Sequence, residues 1–171
     1  MASILKYGSY DDVRVLLGVD KFELPDEDMD SEVLFSRLSL DLSAVTGALP
    51  GDTAERDLEE WFDYLHGLQN KSKDQQRLQA LISVYAVARF AWYIATTLSI
   101  RVPKEETDGK ATQTRFSSES AYLKVIQSIA DTSDAYLLRI RESFGQYSSG
   151  SGFVGLSAAS PSVDVVTGRS S

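Results

Sequence analysis

With 171 residues, 43% hydrophobic and 25% charged, the chain has the composition of one globular domain, long enough to bury a core and too short for two full ones. It has no cysteine, which excludes disulfides, a thiol nucleophile and thiolate-held zinc or iron–sulfur sites. The net charge of −8 is uneven: residues 1–60 hold fifteen acidic and five basic side chains and residues 61–171 hold ten and twelve, so the acidic first third is a poor surface for gripping phosphate.

The opening Met-Ala-Ser-Ile-Leu-Lys lacks an apolar core of signal-peptide length and reads as the start of an intracellular product. Ser9, with Asp12 three residues on, predicts a capping box for a short helix that Gly18 stops in the left-handed conformation. Pro25 and the acidic run Asp26-Glu-Asp28 mark the entry to a second helix, expected from Asp28 to about Val45. Its stripe is Met29, Val33, Leu34, Leu38, Leu42 and Val45. Gly47, Pro50 and Gly51 end it. A third helix is expected from Asp52 as N-cap, with Leu58, Trp61, Phe62, Leu65 and Leu68 on one face.

Asp74 to Arg101 is the longest and most apolar pattern. Its length suits a membrane span, but Arg89 near the centre would cost about 2.5–3.5 kcal/mol there. The aromatic residues Phe90, Trp92 and Tyr93 also sit mid-segment. A central helix buried by its neighbours, or by neighbours from other subunits, with no membrane involved, is the better reading. Pro103 ends it, and Thr107-Asp-Gly-Lys110 predicts a small β-hairpin or extended loop over about 102–115. A last long helix runs from Ser117 or Ser118 to about Phe144, with Tyr122, Val125, Ile126, Ile129, Tyr136, Leu137 and Ile140 as its stripe. The domain is therefore expected to be all-α over 1–144, a helical bundle with one small β excursion between the last two long helices. Residues 145–171 open on a Gly/Ser-rich linker and form a flexible C-terminal arm carrying Phe153, Val154, Leu156, Val163, Val165 and Val166. Such a tail is either a disordered terminus or an arm that orders on a neighbour's groove or sheet.

Chemistry has little foothold. His66 is the sole histidine, and with Glu60 and Asp63 it could draw one carboxylate–histidine metal site. A di-iron bundle would need a second histidine. No Gly-x-Ser-x-Gly elbow and no phosphate-binding glycine loop is present. Glu59/Glu60 and Glu105/Glu106 are expected on solvated segments where nothing shifts their pKa values. No enzyme, metal or cofactor is expected. The basic clusters Lys71/Lys73/Arg77 and Lys104/Lys110/Arg115 are small and mixed with acids, suiting at most weak non-specific contact with DNA. The acidic first third is a solvated face, a face for a basic partner, or the lining of a passage in which DNA slides without sticking. Asn70-Lys-Ser72 has a glycosylation spacing without a secretory signal to use it.

The run Tyr10-x-Asp12-Val-Arg-x-Leu-Leu-Gly18, followed by Leu24-Pro-Asp-Glu-Asp28 and a helix ending near Gly47, resembles the opening of the head-to-tail connector (adaptor) proteins of tailed phages. The order of the later parts is similar too, with a long apolar helix, a projecting Asp108-Gly109 loop, a last helix after Arg115-Phe116 and a Gly/Ser-rich tail. The Asp52–Leu68 helix is extra relative to the shorter members. The resemblance implies a helical subunit of a homo-oligomeric ring, commonly of twelve copies, beneath the portal at the head vertex. It also implies contact with the next neck or tail protein and passage of the genome through the ring. Such a protein resides in the virion neck after assembly in the host cytoplasm. Phe153, Val154, Leu156, Val163, Val165 and Val166 would then clasp the portal, and Lys104, Asp108, Gly109 and Lys110 would face the channel or the next ring. The alternative is a monomeric helical interaction or regulatory protein.

Overall fold

The computed structural model describes residues 3–97 and 119–145. The expected hairpin at 102–115, with Lys104, Asp108, Gly109 and Lys110, lies outside them. So does the arm beyond Gly145, with Phe153, Val154, Leu156, Val163, Val165 and Val166.

A single 3₁₀ turn at Ile4–Lys6 leads into α1 (Tyr10–Leu17), α2 (Asp26–Met29), α3 (Glu32–Ser43), β1 (Thr46–Gly47), β2 (Arg56–Asp57), α4 (Leu58–Gly67), α5 (Lys73–Thr97) and α6 (Glu119–Ser143). The first helix is built as its sequence predicts. The Ser9 hydroxyl accepts from the Asp12 amide, the Asp12 carboxylate accepts from the Ser9 amide, and Gly18 closes the helix at φ 67°. That cap contributes about 1 kcal/mol. Accepting both Ser9 donors holds the Asp12 carboxyl below the usual carboxylate range.

The second expected helix is two. α2 is a single turn closed at Asp30, and α3 restarts after Ser31. Val33 faces water, while Met29, Leu34, Leu38, Leu42 and Val45 are buried and Phe35 joins them. The third helix starts at Leu58, not at Asp52. Its N-cap is Asp57, in a reciprocal capping box with Glu60. Asp52 instead closes a turn, accepting from the Ala54 amide and from the Arg56 guanidinium. The only strands among the described residues were not foreseen: Thr46 pairs with Asp57 and Gly47 with Arg56 in an antiparallel ladder.

α5 is the axis around which α1, α3, α4 and α6 pack. It alone among the described helices is long and apolar enough to cross a membrane, at mean hydropathy 1.4, and 67% of that window is buried by the protein itself. A helix apolar on nearly all sides is the form a core element takes when covered all round. α6 lies antiparallel along it, since the Tyr122 hydroxyl donates to the Ala95 carbonyl while Tyr136, fourteen residues on, lies beside Ser83, Val84 and Val87. α3 is held by Phe35 stacked on Phe90 (5.6 Å between centroids) and by a polar clasp. In that clasp the Asp41 carboxylate accepts from Arg89 Nε (2.5 Å) and from the Tyr93 hydroxyl, so Arg89 is paired. Burial, joined by the Asp41 charge, raises the Tyr93 pKa.

At the other end of the bundle, Gly47 meets the last residue of the core. A Cβ placed there would stand 2.3 Å from the Phe144 ring. Gly47→Ala is therefore expected to destabilise by about 1–3 kcal/mol, the cost of overpacking a filled site. In a Phe144→Ala background the penalty should shrink, which chemical denaturation of the two single variants and the double variant would measure. A neutral Gly47→Ala would show that the ring yields freely.

Candidate interaction surface

Two surface features are built by the core. The first is the loop between α1 and α2. Arg14 projects inward from α1, and its side chain is only 5% exposed. Its Nε donates to the Leu24 carbonyl at 2.9 Å, Nη1 donates to Asp11 at 2.7 Å, and Nη2 donates to Asp26. Lys21 adds a bond to Asp26 at 3.1 Å. These cations, Arg14 first, hold the Asp26 carboxyl below the usual carboxylate range.

Within the loop, Asp20 Oδ1 accepts from the amides of Phe22 (2.9 Å) and Glu23 (3.1 Å), while Glu23 Oε2 accepts from the Asp20 amide (3.0 Å). Leu24 is buried as the loop's anchor. The result is a closed loop that presents Phe22 to water at 97% exposure, the most exposed large apolar side chain among the described residues. A phenyl ring in that state has no role in the core.

The second feature is a groove of about 360 Å³, floored by Ser83, Val84 and Val87 of α5. One wall is α1, with Val15 (79% exposed) and Leu16, and the other is Tyr136 of α6. Val15, Leu16 and Val84 make it apolar and open. Asp12, the one carboxylate in the lining, is already engaged by Ser9. Tyr7 also borders the groove, and its hydroxyl is buried with no hydrogen-bond partner among the described residues. Burial, with the charges of Glu59 and Asp63, raises its pKa and keeps it neutral.

The residues that sequence reasoning considered for chemistry are otherwise occupied. The Glu60 carboxylate caps its own helix, Asp63 pairs with Lys6 at 2.7 Å, and the His66 ring stacks on Phe62. The three do not converge, and among the described residues no group of three or more acidic or histidine side chains is arranged to hold a metal ion. Glu59 is not on a solvated segment as expected. It is half-buried, accepting from the Ser39 hydroxyl at 2.8 Å and facing Lys6 at 3.7 Å, which ties α4 to α3 and to the N-terminal turn. In the Lys71/Lys73/Arg77 cluster, the Lys71 ammonium bonds Gln79 at 2.9 Å.

Sequence reasoning found neither feature. Phe22 differs from its surroundings only as a lone aromatic residue in an acidic run, and the groove is assembled from three helices distant in sequence. The chain matches no protein-family model, no curated protein and no solved structure.

Proposed function

We propose that this chain is a structural subunit of a phage head-to-tail connector ring, docked beneath the portal, around a channel through which the genome passes. Its partners are further copies of itself, commonly twelve in all, the portal and the next neck or tail protein. Its place is the virion neck after assembly in the host cytoplasm, with no membrane, catalytic, metal or cofactor role.

The observation that carries the reading is the Tyr10-x-Asp12-Val-Arg-x-Leu-Leu-Gly18 motif. Its Ser9 cap and Gly18 stop form a finished helix, and its arginine is spent on fixing the acidic loop that follows. These residues build a presentation surface and not a reaction centre. An exposed apolar groove and a fully exposed phenyl on one small helical body suit a protein that covers surface by assembling. In this reading Phe153, Val154, Leu156, Val163, Val165 and Val166 clasp the portal. Lys104, Asp108, Gly109 and Lys110 face the channel or the next ring.

The test is truncation after Gly145. The Gly145 amide closes α6 on the Glu142 carbonyl and Phe144 is already in the core, so the truncated chain should keep its helical circular dichroism and thermal midpoint. It should lose docking on the portal of its own virus, read by co-sedimentation and by electron microscopy of the mixture. Docking undiminished by the truncation would remove the arm from the proposal, and a full-length chain that never meets portal or virion would remove the connector reading.

A further inference from the structure

We infer that Phe22 of one copy seats in the α1–α5–α6 groove of the next copy, a head-to-tail contact between two different patches of the same chain. The inference rests on the self-assembly part of the reading above and names its interface. Knob and groove lie at different places on one protomer, so the contact repeats from copy to copy and closes into a ring when its rotation closes. An exposed aromatic entering an apolar pocket is the kind of anchor that dominates interface energetics. The loop bonds around Asp20 and Arg14 hold Phe22 in place before any partner arrives, so less ordering cost falls on association.

Charge points to the same pairing. The knob sits in residues 20–32, which carry seven carboxylates and one lysine. Along the groove, Arg77 lies two helical turns before Val84 on α5, and Arg139 one turn after Tyr136 on α6, so both fall on the groove's side of their helices. Both are exposed, and neither has an ion-pair partner among the described residues. An acidic knob thus meets two exposed arginines beside the groove, with Asp74 and Glu142 a turn beyond them, and the knob's own carboxylates discourage knob-to-knob contact.

The absence of cysteine makes the test clean. Lys21→Cys, an exposed position that leaves the Phe22 ring in place, and Val84→Cys are prepared as separate full-length proteins, each checked by circular dichroism. They are then treated with a short bifunctional maleimide, alone and mixed. The mixture should give at least about tenfold more covalent dimer than either variant alone, as a specific anchored contact requires. Lys21→Cys mixed with Leu123→Cys, an exposed position on α6 outside the groove lining, should stay at background. A Lys21/Val84 yield no higher than that control overturns the contact. Portal docking is read separately: docking without this cross-link leaves the connector reading standing and this interface wrong, and the cross-link without docking does the reverse.

Discussion

Trp61→Ala is expected to lower the free energy of unfolding by about 3–5 kcal/mol, the range for deleting a large aromatic from a filled core. The indole is fully buried and its Nε1 donates to the Gly47 carbonyl at 2.7 Å. Its ring faces Phe144 at 6.2 Å, and the Arg56 guanidinium lies 4.7 Å from its centre. One side chain therefore joins α4, the β1–β2 ladder and the end of α6, three parts with no local reason to meet. Trp61→Phe keeps most of the packing but leaves the Gly47 carbonyl without its indole donor, a loss of about 1–3 kcal/mol. Urea denaturation followed by circular dichroism would rank wild type, Phe and Ala in that order. A Trp61→Ala change below about 1 kcal/mol would mean that the site collapses around the deletion and does not organise this end of the bundle.

The same neighbourhood shows what a sequence can and cannot disclose. Asp52-Thr-Ala-Glu55 and Asp57-Leu-Glu-Glu60 carry the same capping pattern five residues apart, and local chemistry does not choose between them. The choice is made by the pairing of Arg56 and Asp57 with Thr46 and Gly47, which commits residues 56–57 to a strand and leaves Leu58 as the first helical position. The break at Asp30 is not legible, because Met29 to Val33 is an ordinary helical step of four. Only the fold turns Val33 to water, so that the buried row steps five from Met29 to Leu34, and a continuous helix does not keep such a step on one face. α1, by contrast, was readable to the residue because its cap and its stop involve neighbours no more than five apart.

The clasp of Arg89 on Asp41 spans 48 positions and the groove draws on three helices. Periodicity marks which face of α5 or α6 is apolar, but not which neighbour leaves part of it open. In the sequence Arg14 is only one letter of a motif. That it is turned inward to hold a carbonyl and two carboxylates follows only from the fold.

Arg14→Ala should therefore act on stability and on assembly together. Removing a buried fork that donates to the Leu24 carbonyl, Asp11 and Asp26 is expected to cost about 2–3 kcal/mol, the scale of hydrogen bonds to charged groups. Lysine should recover little of it, since an ammonium cannot reproduce the planar, multiply donating geometry. The pH dependence identifies the cause. Asp26 has a lowered pKa in the folded protein, so its contribution is present above the ordinary carboxylate pKa and is lost as pH falls from about 4 through the lowered value. Thermal midpoints of wild type and Arg14→Ala should thus lie furthest apart near neutrality and draw closer in acid, where the bond to the Leu24 carbonyl remains. A gap that stays constant into acid would assign the loss to packing instead of to the Arg14–Asp26 bond. With the loop released, Phe22 is no longer held ready, so Arg14→Ala placed in the Lys21→Cys chain should reduce its cross-linking to Val84→Cys of the next copy, although Arg14 lies outside the groove contact. If cross-linking persists undiminished, the loop's order is not what presents the ring, and Phe22 finds the groove from a mobile segment.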